Sequence, residues 1–180
     1  MAFFNQNLQN ELKSCKFIVY LRRSSQDNED KQMRSIEGQE QDLKTGIIQR
    51  LHLEKNIVEW YRESQTAFET GRPYFNEMVE RIRSDEADAV IVWHSNRIAR
   101  NTEDGGLFCH LMKKNKLKLV LTMYQIFENN PHDKADLMDD FTRATENSDE
   151  KSEMVKRGNR TKLGLGYIPS GRLPEGYMHA

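Results

Sequence analysis

Four short apolar runs, each set off from the next by a longer stretch with helical spacing, constrain this chain more than any other feature. They are Phe17-Ile18-Val19-Tyr20-Leu21, Asn56-Ile57-Val58-Glu59-Trp60-Tyr61, Ala87-Asp88-Ala89-Val90-Ile91-Val92-Trp93 and Leu117-Lys118-Leu119-Val120-Leu121. The gaps are far too long for hairpin turns, and they suit the crossovers that parallel strands require. Between the runs, apolar residues recur at helical spacing: Ile36, Leu43, Ile47 and Leu51; then Phe75, Met78, Val79 and Ile82; then Leu107, Leu111 and Met112. Ser35 is placed to cap the first of these helices, Pro73 to occupy the first turn of the second, and Asn101 or Thr102 to cap the third. Strict strand–helix alternation predicts an α/β fold: a four- to five-stranded, mostly parallel sheet in the order 2-1-3-4, with helices on both faces.

The flanks carry a different pattern. Residues 1–14 read as an N-terminal extension with a short helix around Phe4, Leu8 and Leu12, and residues 15–133 as the main domain. Residues 134–163 lack proline and contain one glycine, Gly158, which predicts one long C-terminal helix. Its apolar stripe (Leu137, Phe141, Ala144, Ser148) is thin. Acidic residues fill its first half (Asp136, Asp139, Asp140, Glu146, Asp149, Glu150) and basic ones its second (Lys151, Lys156, Arg157, Arg160, Lys162). A helix this polar is expected to project from the domain and to pack on a second copy of the chain. Residues 164–180 read as the beginning of a further, truncated region.

Composition narrows the function classes. A formal net charge of -1 excludes a uniformly basic nucleic-acid binder and leaves room for local basic sites. Cys15 and Cys109 have neither metal-ligand spacing nor a disulfide framework, which predicts reduced thiols in a cytoplasmic protein. No apolar run approaches the roughly 20 residues of a membrane span. Residues 1–14 lack the basic and apolar regions of a secretory leader.

Chemistry gathers where the strands stop. The first run breaks into Arg22-Arg23-Ser24-Ser25, Glu63 and Arg72 follow the second, and His94-Ser95-Asn96-Arg97-Ile98-Ala99-Arg100 follows the third. In an open parallel sheet ligands bind at the carboxyl ends of strands where the order reverses, so these residues are expected to share one crevice. Serine attacks only when a base or cationic surroundings activate it, and arginine forks hold phosphate well. Each residue also has a plain reading: Arg97 and Arg100 as surface charges, Glu63 as a helix cap, Arg72 as the partner of a nearby carboxylate. The lone His94 reads as a hydrogen-bonded structural residue. The sequence has no glycine-rich phosphate loop after the first strand and no cluster of metal-ligand spacing.

These residues, in this order, resemble the serine recombinase family, the resolvase/invertase-type catalytic domain, most closely as it occurs in large serine integrases. Tyr20-Leu21-Arg22-Arg23-Ser24 is similar to the family's Tyr-x-Arg-x-Ser motif. Ser35-Ile36-Glu37-Gly38-Gln39 resembles the segment that supplies an active-site glutamine. Tyr61-Arg62-Glu63 with Arg72-Pro73 is similar to the next motif, and Asn96-Arg97-Ile98-Ala99-Arg100 to its Asp-Arg-x-x-Arg. Met154-Val155-Lys156-Arg157-Gly158-Asn159-Arg160 resembles the end of the long helix that leads into a DNA-binding region.

The resemblance implies Ser24 as nucleophile with Arg22, Arg72, Arg97 and Arg100 as catalytic arginines, and Tyr20, Gln39, Glu63 and Asn96 in support. It implies a site-specific DNA recombinase that cleaves and rejoins double-stranded DNA through a 5′-phosphoserine link. No metal or organic cofactor is implied, and the partners are DNA and further copies, a homodimer and a synaptic tetramer. Two positions depart from the family: Asn96 stands where aspartate is usual, and Thr66-Ala67 replaces a Ser-Gly pair. An amide neither carries negative charge nor takes up a proton as a carboxylate does. The alternative is therefore a catalytically weak relative that acts in DNA binding or assembly. A phosphate-binding module of flavodoxin-like type, unrelated to DNA, is a third reading.

Overall fold

The structure is a computed structural model that describes residues 6–22, 36–63, 72–99 and 102–167. Its five strands are β1 (Phe17–Arg22), β2 (Ile57–Glu63), β3 (Ala89–Val92), β4 (Leu119–Leu121) and β5 (Ile126–Glu128). They form one sheet in the order β2-β1-β3-β4-β5. The first four are parallel and β5 runs antiparallel to β4. The predicted order 2-1-3-4 is thus met and extended by a short edge strand. Thr122 closes the β4–β5 turn: its Oγ1 accepts the Gln125 amide at 2.9 Å and donates to the Gln125 carbonyl at 2.9 Å.

Strand β1 is buried along its whole length, as a central strand covered on both faces must be. One face of the sheet packs Ile18, Tyr20, Val90, Val92 and Val120 against α4 (Pro73–Arg83), α5 (Thr102–Lys113) and the start of α6 (Pro131–Gly164). The other packs Phe17, Val19, Leu21, Ile91 and Leu121 against α1 (Gln6–Ser14) and the helical segment that begins at Ile36. The expected N-terminal extension contains α1, whose Leu8 and Leu12 are buried in this second core.

That second segment is not the uniform helix its periodicity predicts. It divides into α2 (Ile36–Leu43), a π-helical stretch (Lys44–Ile48) and α3 (Gln49–Leu51). A π turn adds a residue to the helical cycle and rotates the stripe, so Ile48 joins Leu43 and Ile47 in the core while Leu51 is only half-buried. Gly46, in the π turn, lies under Met123: an ideal Cβ there would stand 2.7 Å from the Met123 Cε. Helix α3 ends at His52, whose left-handed backbone (φ 55°) stops the turn.

Helix α6 starts at Pro131, three residues before the sequence reading placed it. Asn130 is its cap, accepting the Asp133 amide at 2.8 Å. The expectation that the whole helix leaves its domain needs correction. Leu137 and Phe141 are fully buried against their own domain, next to α5. They contact it closely because Gly105 has no side chain: an ideal Cβ there would sit 2.7 Å from Phe141 Cδ2. Beyond Thr145 the described side chains of α6 are exposed, Met154 and Val155 among them.

Candidate active site

Strands β1 and β2 end at the same level, with their last residues side by side, and β3 stops opposite Tyr20, two residues earlier. Arg22 pairs with Glu63 across β1–β2, and Tyr20 pairs with Tyr61 on one side and Val92 on the other. Alternation along the strands sends Tyr20, Arg22, Tyr61 and Glu63 to the α4–α5 face. Arg22 and Glu63 are both buried there, an unusual place for charged side chains.

Arg22 reaches across to the turn after β3. Its Nε donates to the Arg97 carbonyl at 2.8 Å and its Nη2 to the Asn96 carbonyl at 2.5 Å. A rigid guanidinium fork on two successive carbonyls fixes the ends of β1 and β3 relative to each other. From the other face, Gln39 on α2 donates through Nε2 to the Arg22 carbonyl at 3.4 Å. Glu63 brings a different element: its Oε2 is buried with no hydrogen-bond partner among the described residues. An acceptor left in that state is costly in a packed interior, and such groups cluster at working sites.

Arg72 caps the entrance to α4 and spans three elements. Nη1 donates to Asp104 Oδ2 at 2.5 Å, and Nη2 to the Tyr20 hydroxyl at 3.1 Å and to the Ile98 carbonyl. Its guanidinium carbon lies 3.9 Å from the centre of the Phe75 ring, close enough for a cation–π contribution. The plain reading of Arg72 as partner to a carboxylate therefore describes its present contacts. The Tyr20 phenol is pushed above its ordinary pKa by burial, against the opposing pull of the Arg72 charge, and stays protonated at neutral pH.

The turn after β3, Ser95–Arg97, is a single 3-10 turn, and it carries Arg97 and Asn96. His94 caps it: the Asn96 amide donates to His94 Nδ1 at 3.2 Å, so that nitrogen is unprotonated and the ring carries its hydrogen on Nε2. The Ser95 hydroxyl lies 2.8 Å from Asp140 Oδ2 on α6 and 3.0 Å from the same His94 Nδ1. One hydroxyl proton cannot serve two acceptors, and the carboxylate is the stronger. Burial lowers the His94 pKa, opposed by Asp140 and reinforced by Arg97. Arg97 itself is buried, with its guanidinium carbon 5.8 Å from the centre of the Trp93 ring. The Asn96 Oδ1 is buried with no hydrogen-bond partner among the described residues, so through that oxygen it orients none of the described arginines.

Of the residues predicted from sequence, the structure brings together Tyr20, Arg22, Gln39, Glu63, Arg72, Asn96 and Arg97 at the carboxyl edge of the sheet. Ser24 and Arg100 lie outside the described residues, as do Ser25, Thr66 and Ala67. Sequence reasoning missed Asp104, Ser95 and Asp140, and read His94 correctly as a hydrogen-bonded structural residue. Asp104 and Asp140 sit in ordinary polar positions of helices, and only the fold aims them at Arg72 and Ser95. Both cysteines are free, and burial raises each thiol, Cys15 to about 12. Against the expectation of no cluster with metal-ligand spacing, the fold brings ligand atoms of His132, Asp133 and Asp136 within 4.8 Å of one another on the first turns of α6, with Asp133 engaged in the helix cap. No helix among the described residues is long and apolar enough to cross a membrane.

Comparison with known proteins bears on this edge. A family model described as "Resolvase, N terminal domain" matches residues 17–165. No curated protein matches the sequence. Among solved structures, the fold is similar to a resolvase family site-specific recombinase from Streptococcus pneumoniae, with 20% identity, a TM-score of 0.51 and coverage of 84% of this chain and 99% of that one. It is also similar to the N-terminal catalytic domain of TP901-1 integrase, with 17% identity, a TM-score of 0.50 and coverage of 77% and 98%.

Proposed function

The chain belongs to the resolvase family of serine recombinases, and on that premise we propose that it is the catalytic domain of a site-specific recombinase that breaks and rejoins double-stranded DNA through Ser24. The observation that carries this reading is the Arg22 fork. It joins the end of β1, two residues before Ser24, to the Asn96 and Arg97 carbonyls at the end of β3. Ser24 is assigned to this same edge, with Arg22, Arg72 and Arg97 as its cationic neighbours.

In the proposed reaction the Ser24 Oγ attacks a phosphodiester phosphorus. The Oγ–P bond forms as the P–O3′ bond breaks, and the 3′ oxygen leaves as a hydroxyl, taking up one proton for the one the serine gives up. The 5′ end stays on the protein as a phosphoserine. Attack by a 3′-hydroxyl reverses the step and reseals the strand without an external energy source. Arg97 and Arg100 are assigned to the charge that develops on the phosphorane, and burial of Arg97 shields that interaction from water. Arg22 and Arg72 are assigned to holding the strand ends, because their hydrogen bonds already engage protein groups. Gln39 and Tyr20 steady Arg22 and Arg72 in turn. The exposed part of α6 beyond Thr145 is assigned to contacts with DNA and with a second copy, in a dimer on each site and a tetramer during exchange.

Asn96 keeps the alternative of a weak or inactive relative in view, since no carboxylate stands at that position. A nicked duplex that loses its short 3′ product on cleavage separates the two. An active chain accumulates a covalent protein–DNA adduct that survives denaturation, and Ser24→Ala abolishes it while Ser25→Ala retains it. Absence of an adduct with the unaltered chain, on DNA that it binds, selects the inactive reading.

A further inference from the structure

Beside the candidate site stands an aromatic surface that the recombinase reading does not use. Tyr124, in the β4–β5 turn, is 72% exposed. Its ring is nonetheless held in place. It meets the Trp93 ring edge-on, with centroids 6.1 Å apart and planes at 80°, and the His94 ring at 5.9 Å and 63°. The Trp93 indole is fixed by its Nε1 hydrogen bond to Asp42 on α2 at 3.0 Å, one helical turn from Gln39. The turn beneath is closed by Thr122, whose Oγ1 also lies 3.3 Å from the Tyr124 amide. Tyr124 is thus an exposed ring on a rigid mount, and little side-chain freedom is left to lose when something packs on it.

Its setting indicates what packs there. The Trp93 ring that Tyr124 meets is also packed by the buried Arg97, which ties this surface to the turn after β3. Tyr124 also borders a cavity of about 370 Å³, with Ile47, Leu51 and Ile126 among its apolar walls and Arg50, Gln125 and Glu128 among its polar ones. A flat aromatic face on an open volume that an exposed arginine, Arg50, also lines matches a nucleotide: phosphate towards that arginine, base on the ring. In an intact duplex each base is stacked on its neighbours and offers no free face, so the base that fits is an unstacked one. Resting on the DNA reading above, we propose that Tyr124 is a stacking subsite for an unpaired nucleobase whose phosphate faces Arg50.

The test compares two fluorescein-labelled duplexes of the same arbitrary sequence, one fully paired and one carrying a short bulge of unpaired adenines. Affinities for the full chain are read by anisotropy over a range of salt. The bulged duplex is expected to bind about tenfold more tightly, and Tyr124→Ala to bring that ratio close to one. Tyr124→Phe is expected to keep the ratio, because the ring and not the hydroxyl does the stacking. Affinity for the paired duplex, and its salt slope, should be the same in all three proteins, as phosphate contacts set both. The side chain is exposed, so an unchanged circular dichroism melt is expected for each variant.

Equal binding of the two duplexes by the unaltered chain, or a ratio that survives Tyr124→Ala, overturns the subsite and leaves the DNA reading standing. Failure to bind either duplex at low salt overturns both. A change in association state on sedimentation of Tyr124→Ala, with the ratio intact, would assign the ring to a contact between copies and refute the base.

Discussion

Gly105 exists to admit Phe141, and the two residues should therefore be energetically inseparable. The structure supplies the magnitudes. An added Cβ at Gly105 would stand 2.7 Å from Phe141 Cδ2, where real contacts essentially never fall, and 3.0 Å from both Cβ and Cγ, which is tighter than most real ones. Phe141 is fully buried, and its Cβ moves only with the backbone of α6, so the ring has nowhere to retreat. Overpacking of this kind costs about 1–3 kcal/mol. Against it, alanine is favoured over glycine inside a helix by about 1 kcal/mol. Gly105→Ala alone should therefore destabilise by roughly 0–2 kcal/mol. Phe141→Ala alone should cost about 3–5 kcal/mol, as for other fully buried aromatics. In the Phe141→Ala background most of the clash is gone, and Gly105→Ala should become stabilising by about 1 kcal/mol.

The sign reversal is the diagnostic feature, with a coupling of about 1–3 kcal/mol. Gly106 supplies the control: nothing lies within 4 Å of its ideal Cβ, so Gly106→Ala should stabilise equally in both backgrounds. Equilibrium urea unfolding, with midpoints compared at constant m, measures all the variants. If Gly105→Ala has the same effect with and without Phe141, to within about 0.5 kcal/mol, the account of how α6 docks on α5 is wrong.

Two further predictions concern the site. Asp104→Ala should destabilise by about 2 kcal/mol, because it strips the charge partner from a partly buried Arg72; the loss should vanish in an Arg72→Ala background, whereas Asp139→Ala, in the exposed pair with Arg143, should stay within about 0.5 kcal/mol. His94, with its pKa lowered chiefly by burial, binds its proton less readily folded than unfolded. Its contribution to stability is therefore full above the ordinary histidine value of about 6.5 and lost as pH falls below that value through the lowered one. Urea midpoints should drop on acidification through this window more steeply in the unaltered chain than in His94→Gln, and equal slopes would refute the role of the histidine as a neutral cap.

Much of this was legible in the sequence for a simple reason. Parallel strands covered on both faces have to be continuously apolar, and charged residues that interrupt them at the ends have to be accommodated together. Runs such as Ala89–Val92 and ends such as Arg22, Glu63 and Arg97 state that arrangement locally. Strand β5 did not announce itself, because three residues give alternation no length to show and its pairing depends on the Thr122 turn. The π turn was hidden for a related reason: its Gly46 makes room for Met123, a residue far along the chain.

Partners were less legible than positions. The carboxylate on Arg72 comes from 32 residues away and the one on Ser95 from 45, and nothing in either neighbourhood marks the pairing. Helix α6 makes the same distinction most clearly. The stripe of Leu137 and Phe141 requires burial, and sequence reasoning assigned the cover to a second copy. A stripe, however, specifies that a face is buried and not what buries it. The missing information lay in α5, where Gly105, unremarkable as one of two adjacent glycines, opens the groove that receives Phe141. Two parts of α6 among the described residues then stay open to a partner: the face that carries the exposed Asp139, Thr142 and Arg143, and the remainder beyond Thr145, where large apolar side chains such as Met154 and Val155 stand in water.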